Sequence, residues 1–556
     1  MFSNFSLFAS FLCRHLSTAT NLPNLSKLPV KHRKLAIREA QKALVDYLHG
    51  TRSLPFAYAE YIGRNSLLSL DNLISKVEFS PSSFPKSFKK FLRYHPINEF
   101  EFFFESIGID YNDVPGLLPV KKFFFSEDKS LLDAASALSD FGFPWKMLGM
   151  LYRERSSIFR RSALELKSKL GEFIKYGFSY IQVAGICFAF PHVLSEQGQA
   201  GTETDALFTD LKTVFLDFGL AGSVELNVDA WYGLCRKIRV FYDLYGGKGK
   251  MGELLGRNKN IFIEHSEEEI IQKVVYFRRF SVNKEEVALL LLQGSELLKH
   301  DLETPVISVF QLLEHLDLGS EDLKDVSENY PHVLGMNKMV NLPDVLRALN
   351  LHEWFFNKIK DGNHQLLLNY ITSYPIGDPD KEYLDGLESI RVSRTPAHTF
   401  SKLDYLHGLG FGQNAMTLKI LSYMHGSRSK IQERFDCMLS LGIEFSKLCR
   451  MITISPKILN QNPKALQRKV NYLVQGMGTS LEYLSIFPAY LNFDLEKRIK
   501  PRYRFHLWMI EKGLSTRDYS ISSLIASSEK LFVNRAFKIH PAAPKHWFEQ
   551  FARKVS

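Results

Sequence analysis

Cysteine is scarce: Cys13, Cys187, Cys235, Cys437 and Cys449 are the only five in 556 residues, and they form no CxxC pair and no close cluster. A disulfide framework and a cysteine-built zinc or iron–sulfur site are thereby excluded. Long apolar runs are also missing. The longest, such as VALLLL at 287–292, fall far short of the ~20 residues that span a bilayer, so no membrane span is expected. His265 is preceded by Glu264 and followed by Ser266, His-Glu occurs at 352, and no His completes an HExxH spacing at either place, so that zinc pattern fails. His398, His407 and His425 are too widely spaced to argue a metal site. No nucleophile–base pair stands out. These absences predict a soluble protein of a reducing compartment, not an enzyme, with no cofactor and no metal.

What is present is a large apolar fraction, 45% with 13% aromatic, enough to bury an extensive core. Charge is unevenly spread around a net +10. Residues 1–38 carry six basic side chains and no acid, 39–425 carry a net −8, 426–512 a net +8, and 513–556 a net +4. An acidic body with basic ends points to an anionic partner for the C-terminal part, nucleic acid being the commonest.

The opening MFSNFSLFASFLCRHLSTATN is rich in Ser and Phe, and a helix would place Phe5, Phe8 and Leu12 on one face. It lacks the basic start and the small-residue cleavage site of a secretory signal, so it reads as an organellar import leader. Arg14-His15-Leu16-Ser17 matches a mitochondrial cleavage site, predicting a presequence over 1–16 and a mitochondrial matrix protein; a chloroplast address is the alternative.

From about residue 90 one pattern recurs: an apolar-periodic helix, a flexible turn, a second helix, then a Pro-x-φ-Leu step (φ, apolar). The clearest copies lie at 173–194, 313–334 and 438–459, where Gly177 to Pro191, Asp317 to Pro331 and Gly442 to Pro456 are each fourteen residues apart. Turns near 108, 142, 177, 219, 246, 279, 317, 349, 410, 442, 476 and 513 mostly step by 27 to 42 residues. Self-similarity of this period means a stacked array, because one helix pair cannot bury its apolar face alone. Each second helix should stop before Pro191, Pro331, Pro456 or Pro488, since proline disfavours helical geometry at the residue before it. Spacing over 200–300 is uneven and lacks the proline endings. The expected layout is a helical segment and linker at 17–90, an acidic repeat section at 91–375, an insertion or hinge at 376–400, basic repeats at 401–515 and a tail at 516–556.

The repeat endings at 191–194, 331–334, 456–459 and 488–491, followed by Leu495-Glu496-Lys497-Arg498-Ile499-Lys500-Pro501-Arg502, resemble the mitochondrial transcription termination factor (mTERF) family in its plant-organelle branch. Asp494 stands where that family commonly has Ser. The resemblance implies an all-α solenoid, a left-handed superhelix of stacked repeats whose basic inner surface grips organellar DNA or RNA. It further implies a regulator of gene expression, in transcription termination or in RNA processing and splicing, with transcription or splicing proteins as further partners. A protein-binding scaffold that never touches nucleic acid is the alternative.

The candidate contacts begin with Lys497, Arg498, Lys500, Arg502 and Arg504, five cations in eight residues that repel one another without an anion. Arg428, Lys430 and Arg434, then Arg450 and Lys457, then Arg468 and Lys469 supply most of the remaining surplus. Tyr503 and Phe505 could stack on bases or pack beneath. YGGKGKMG at 245–252 departs from the Walker pattern, with Met251 after Gly249-Lys250, and is expected to be a turn. Ser266-Glu267-Glu268-Glu269 has capping-box spacing.

Overall fold

The computed structural model describes residues 22–195, 201–246, 249–316, 320–372, 381–515 and 520–552. The segment expected to be an import leader, with its expected cut at Leu16–Ser17, and the expected turn at Asp317 lie outside them. The described chain is almost wholly helical, and none of its helices is long and apolar enough to cross a membrane. It divides into two compact units, 1–271 and 272–556.

Glycine marks the repeat turns as the spacing requires. Gly108, Gly142, Gly177, Gly219, Gly410, Gly442 and Gly513 all have positive φ, a conformation that lets the first helix of each pair stop and reverse. Ser281 and Asn350 take the same conformation at the turns near 279 and 349. The helices Tyr180–Ala189, Ser320–Asn329, Phe445–Ile454 and Tyr483–Ile486 each end two residues before the expected proline. At 456 and 488 the proline then opens a single 3-10 turn, Pro456–Asn460 and Pro488–Asn492.

In the first unit, the helices Tyr180–Ala189 and Val228–Leu244 pack closely through Gly185, where a Cβ would sit 2.5 Å from that of Trp231. The capping box forms as expected: Ser266 N donates to Glu269 Oε2 at 2.8 Å, and Glu269 N to Ser266 Oγ at 3.2 Å. Beyond residue 248 the glycine-rich stretch is tied to a carboxylate: Asp210 accepts from Gly249 N, Gly252 N and the Tyr242 hydroxyl, so these backbone donors are already used.

The second unit holds what the spacing did not foresee. Strand β1 (Val306–Ser308) pairs antiparallel with β2 (Met336–Lys338), and Ile307 also bridges Ile371. This short ladder brackets the 313–334 repeat. Immediately beyond it the backbone meets residues more than seventy positions later: Gly412 N donates to His332 O, Gln413 N to Met336 O, and Asn414 Nδ2 to Pro331 O, His332 O and Leu334 O. Only glycine fits at 412, where a Cβ would lie 2.2 Å from Leu334 O. Arg279 strengthens the join, donating to Asp344, Val340 O and Gly408 O. The helices Leu342–Ala348 and Phe445–Ile454 are also in contact. These contacts join 331–344 directly to 408–414, while residues 352–372 of the intervening segment pack into the unit and bury Phe355, Phe356, Ile359, Leu367 and Tyr370. The segment's helix Lys381–Arg391 is held by Tyr383, whose hydroxyl lies 2.9 Å from His407 Nε2.

The residues after 516 are more than a tail. The helices Ile521–Ala526, Glu529–Ile539 and Ala543–His546 bury Leu524, Phe532, Ala536, Ala543 and Trp547 against Phe505 and Met509, closing the end of the stack. An open solenoid end would leave that apolar face in water.

Two measurements probe this packing. Leu473 is fully buried, so Leu473→Ala should cost ~2–5 kcal/mol in urea unfolding; a change below about 0.5 kcal/mol would place the side chain at the surface. His332 is fully buried with both ring nitrogens unbonded, and burial pushes its pKa down to about 3. The unfolded chain then binds a proton, near the ordinary value of about 6.5, that the native chain refuses. Stability should fall as pH drops from about 6.5 toward 3, and His332→Phe should flatten that dependence in melting curves between neutral and mildly acid pH.

Candidate nucleic-acid interface

The basic block of residues 497–504 divides into two faces by helical spacing. Asp494 caps its start, accepting from Lys497 N, and the turn Leu495–Ile499 runs into the helix Lys500–Glu511. Lys497, Lys500 and Arg504, at i, i+3 and i+7, share one face; Arg498 and Arg502, at i and i+4, point the other way.

That second face is committed to the fold. Arg502 is only 2% exposed and donates to Leu524 O, Ile525 O and Ser527 O and to Glu529 Oε2 at 2.7 Å. Its guanidinium also stacks 4.6 Å from the Phe532 ring. Arg498 donates to Ile525 O at 2.9 Å and Ser527 O at 2.8 Å, over the Phe493 ring. Neither is an open phosphate ligand, contrary to the expectation from charge. Lys469 departs from it too: it is 6% exposed, its Nζ donates to Leu491 O at 2.8 Å and Gln461 Oε1 at 3.0 Å, and burial lowers its pKa. Arg434 is half-buried and donates to Leu459 O at 2.7 Å and His425 O at 3.2 Å.

These contacts repeat. In successive units one cation from the first helix caps a carbonyl at the end of the φ-Leu step: Lys402 to Met424 O, Arg434 to Leu459 O, Lys469 to Leu491 O, Arg502 to Leu524 O and Ile525 O. Arg161 to Leu194 O and Lys237 to Phe262 O are the counterparts in the first unit. A one-turn helix leaves its last carbonyls without partners, and a cation there satisfies them and the negative end of the local dipole. The signal was in the periodicity: Arg434 lies among Ile431, Phe435 and Met438, and Lys469 among Leu466, Val470 and Leu473, on the buried stripe in each case. Charge counting passed over it.

The remaining candidates face outward. Arg428, Lys430, Arg450, Lys457, Arg468, Lys497 and Arg504 are exposed. Lys457 Nζ sits 5.7 Å from the Tyr423 ring. The densest grouping surrounds Tyr472, at the end of the preceding unit's first helix. Lys500 Nζ lies 5.6 Å from its ring, and Arg504 opposes the rise that burial imposes on its hydroxyl pKa. Arg468 is four residues before Tyr472 on the same face. Lys500 has a single carboxylate partner, Glu496. Tyr503 and Phe505 are not open to bases: the Tyr503 hydroxyl donates to Met477 O, and Phe505 is in the terminal core.

This helical-repeat architecture defines a class, and comparison with known proteins identifies it. The mTERF family profile matches residues 224–351 and 400–533. The first match takes in much of 200–300, where spacing alone had found poor agreement. The mitochondrial transcription termination factor MTEF18 of Arabidopsis thaliana is 50% identical over 528 residues, 95% of both chains. The chloroplastic MTERF8 of the same plant is 32% identical over 143 residues, 25% of this chain and 26% of its own. The mitochondrial MTERF15 is 27% identical over 105 residues, 19% and 24% of the two chains. The chain belongs to the mTERF family.

Two substitutions separate the two kinds of cation. Lys469→Met leaves Leu491 O buried without its donor and should cost about 1–3 kcal/mol of stability. Arg468→Gln, one residue earlier and exposed, should stay within about 0.5 kcal/mol in the same urea titration.

Proposed function

We propose that this chain is a nucleic-acid-binding regulator of gene expression in an organelle, the mitochondrial matrix in the first instance, and acts by binding rather than catalysis. Family membership and the mitochondrial assignment in the name of the relative matched over 95% of both chains support the setting. The observation that carries the reading is the outward face beside Tyr472: Lys500 and Arg504 of the next unit act on its ring and hydroxyl, with Lys500 paired to Glu496, and by helical spacing Lys497 shares their face and Arg468 shares that of Tyr472. Such a face suits the phosphate backbone, which binds cations irrespective of sequence. Arg450, Lys457, Arg428 and Lys430 extend the contact to the preceding units. The role at the template is transcription termination, for which the relatives are named, or RNA processing and splicing.

The test is a salt titration of binding to duplex DNA and single-stranded RNA. Substituting Gln for Lys497, Lys500 and Arg504 should weaken binding to all sequences alike. It should flatten the plot of log affinity against log salt by roughly 2.7 on the duplex and roughly 2.1 on the single strand. An unchanged slope, with helicity intact by circular dichroism, would show that this face meets solvent or a protein, and a protein-binding scaffold would then be the better reading.

A further inference from the structure

The basic N-terminal stretch does not end with an import leader. Residues 22–95 contain thirteen Lys and Arg against five Asp and Glu. The helix Val30–Asp46 buries Ala36, Ala40, Ala43 and Leu44 in the first unit's core, so its cations belong to the folded protein and would remain after presequence removal. Lys31, Lys34, Arg38 and Lys42 follow one another at three- and four-residue steps on the opposite face, all exposed. The helix Phe84–Tyr94 repeats the arrangement: Phe84, Phe88 and Leu92 are buried, while Lys86, Lys89, Lys90 and Arg93 are exposed.

The two helices are neighbours. They pack on one another, and Lys89 Nζ reaches Asp46 Oδ2 at 2.7 Å. Beyond that pair and Arg38 with Glu39, the charges are unanswered: Lys31, Lys34, Lys42, Lys86, Lys90 and Arg93 have no ion-pair partner among the described residues. The clamps described above account for many cations near the C-terminus, but none of these six caps a carbonyl.

We infer that these two adjoining helix faces form a second phosphate-backbone site, binding nucleic acid independently of the face around Tyr472. The row from Lys31 to Lys42 extends ~16 Å along its helix, a length over which a duplex presents about nine phosphates. An anionic membrane surface offers similar charge, but peripheral helices bind it by sinking an apolar face into the interface. Both helices spend that face in the core. The surplus is also sequence-blind, so this site adds affinity and reach rather than base discrimination.

The full chain carrying Gln at Lys31, Lys34, Lys42, Lys86, Lys90 and Arg93 tests it, titrated between about 50 and 200 mM salt on a random-sequence duplex. Loss of three contacts flattens the slope by ~2.7, so the fourfold rise in salt should weaken the variant about 40-fold less than the parent. Variants confined to one helix, checked by circular dichroism, keep the result interpretable should the sixfold change disturb folding. An unchanged slope overturns the inference. So does loss of binding to phosphatidylglycerol vesicles with the duplex titration unaffected, which would make the surface a membrane contact. The Gln variant at Lys497, Lys500 and Arg504 runs in parallel: flattening by one set alone identifies which site is real, and additive flattening supports both.

Discussion

The turns that end the repeats leave carbonyls without helical partners, and the array depends on how those oxygens are satisfied. At 331–334 the donors are Gly412 N and Asn414 Nδ2, and in the later units the donor is a lysine or arginine sent back from the unit's first helix. Lys402, Arg434, Lys469 and Arg502 do this in succession. The contact joins the beginning of a unit to its end and holds the φ-Leu step against the helix pair. A buried cation of this kind tolerates burial because its donors are used on carbonyls, and in Arg502 on a carboxylate as well. The same residue type thus serves two purposes in one region: inward it closes the repeat, outward it remains available to an anion.

This division explains why charge density misjudges the interface. In the 497–504 block, five cations reduce to three on the open face, one of them paired with Glu496. Much of the fold was legible beforehand. Turn glycines and step prolines are set by backbone geometry at single positions, so residues such as Gly177, Gly442, Pro191 and Pro456 declare themselves locally. The β1–β2 ladder was not legible, because three-residue strands are too short to show a period of two. Nor was the join between 332–337 and 411–414, which pairs segments more than seventy residues apart. Of the candidate site, the cations could be named from sequence, but the face each takes needed its helical phase against Ile431, Leu466 or Ile499.

The segment 352–399 carries a related lesson. Its length nearly doubles the apparent repeat step, yet residues on either side of it meet directly through Gly412, Asn414 and Arg279, and its first part, with Phe355, Phe356 and Leu367, is core. The family profile breaks at the same place, at 351 and 400. Sequence distance and spatial distance part company here, and the compact units follow the spatial one.

The clamps have a consequence for how such a chain comes to be folded. In the C-terminal units each one closes over 22 to 25 residues. Native contacts this local give a low contact order, and loop closure of that length is fast compared with most folding steps. A unit can therefore shut as soon as its own φ-Leu step has emerged from a ribosome or a translocation pore, before the next exists. Assembly then proceeds vectorially, each closed unit offering its apolar face as a template for the one behind it. The terminal helices that bury Phe532 and Trp547 arrive last and put the lid on the growing end.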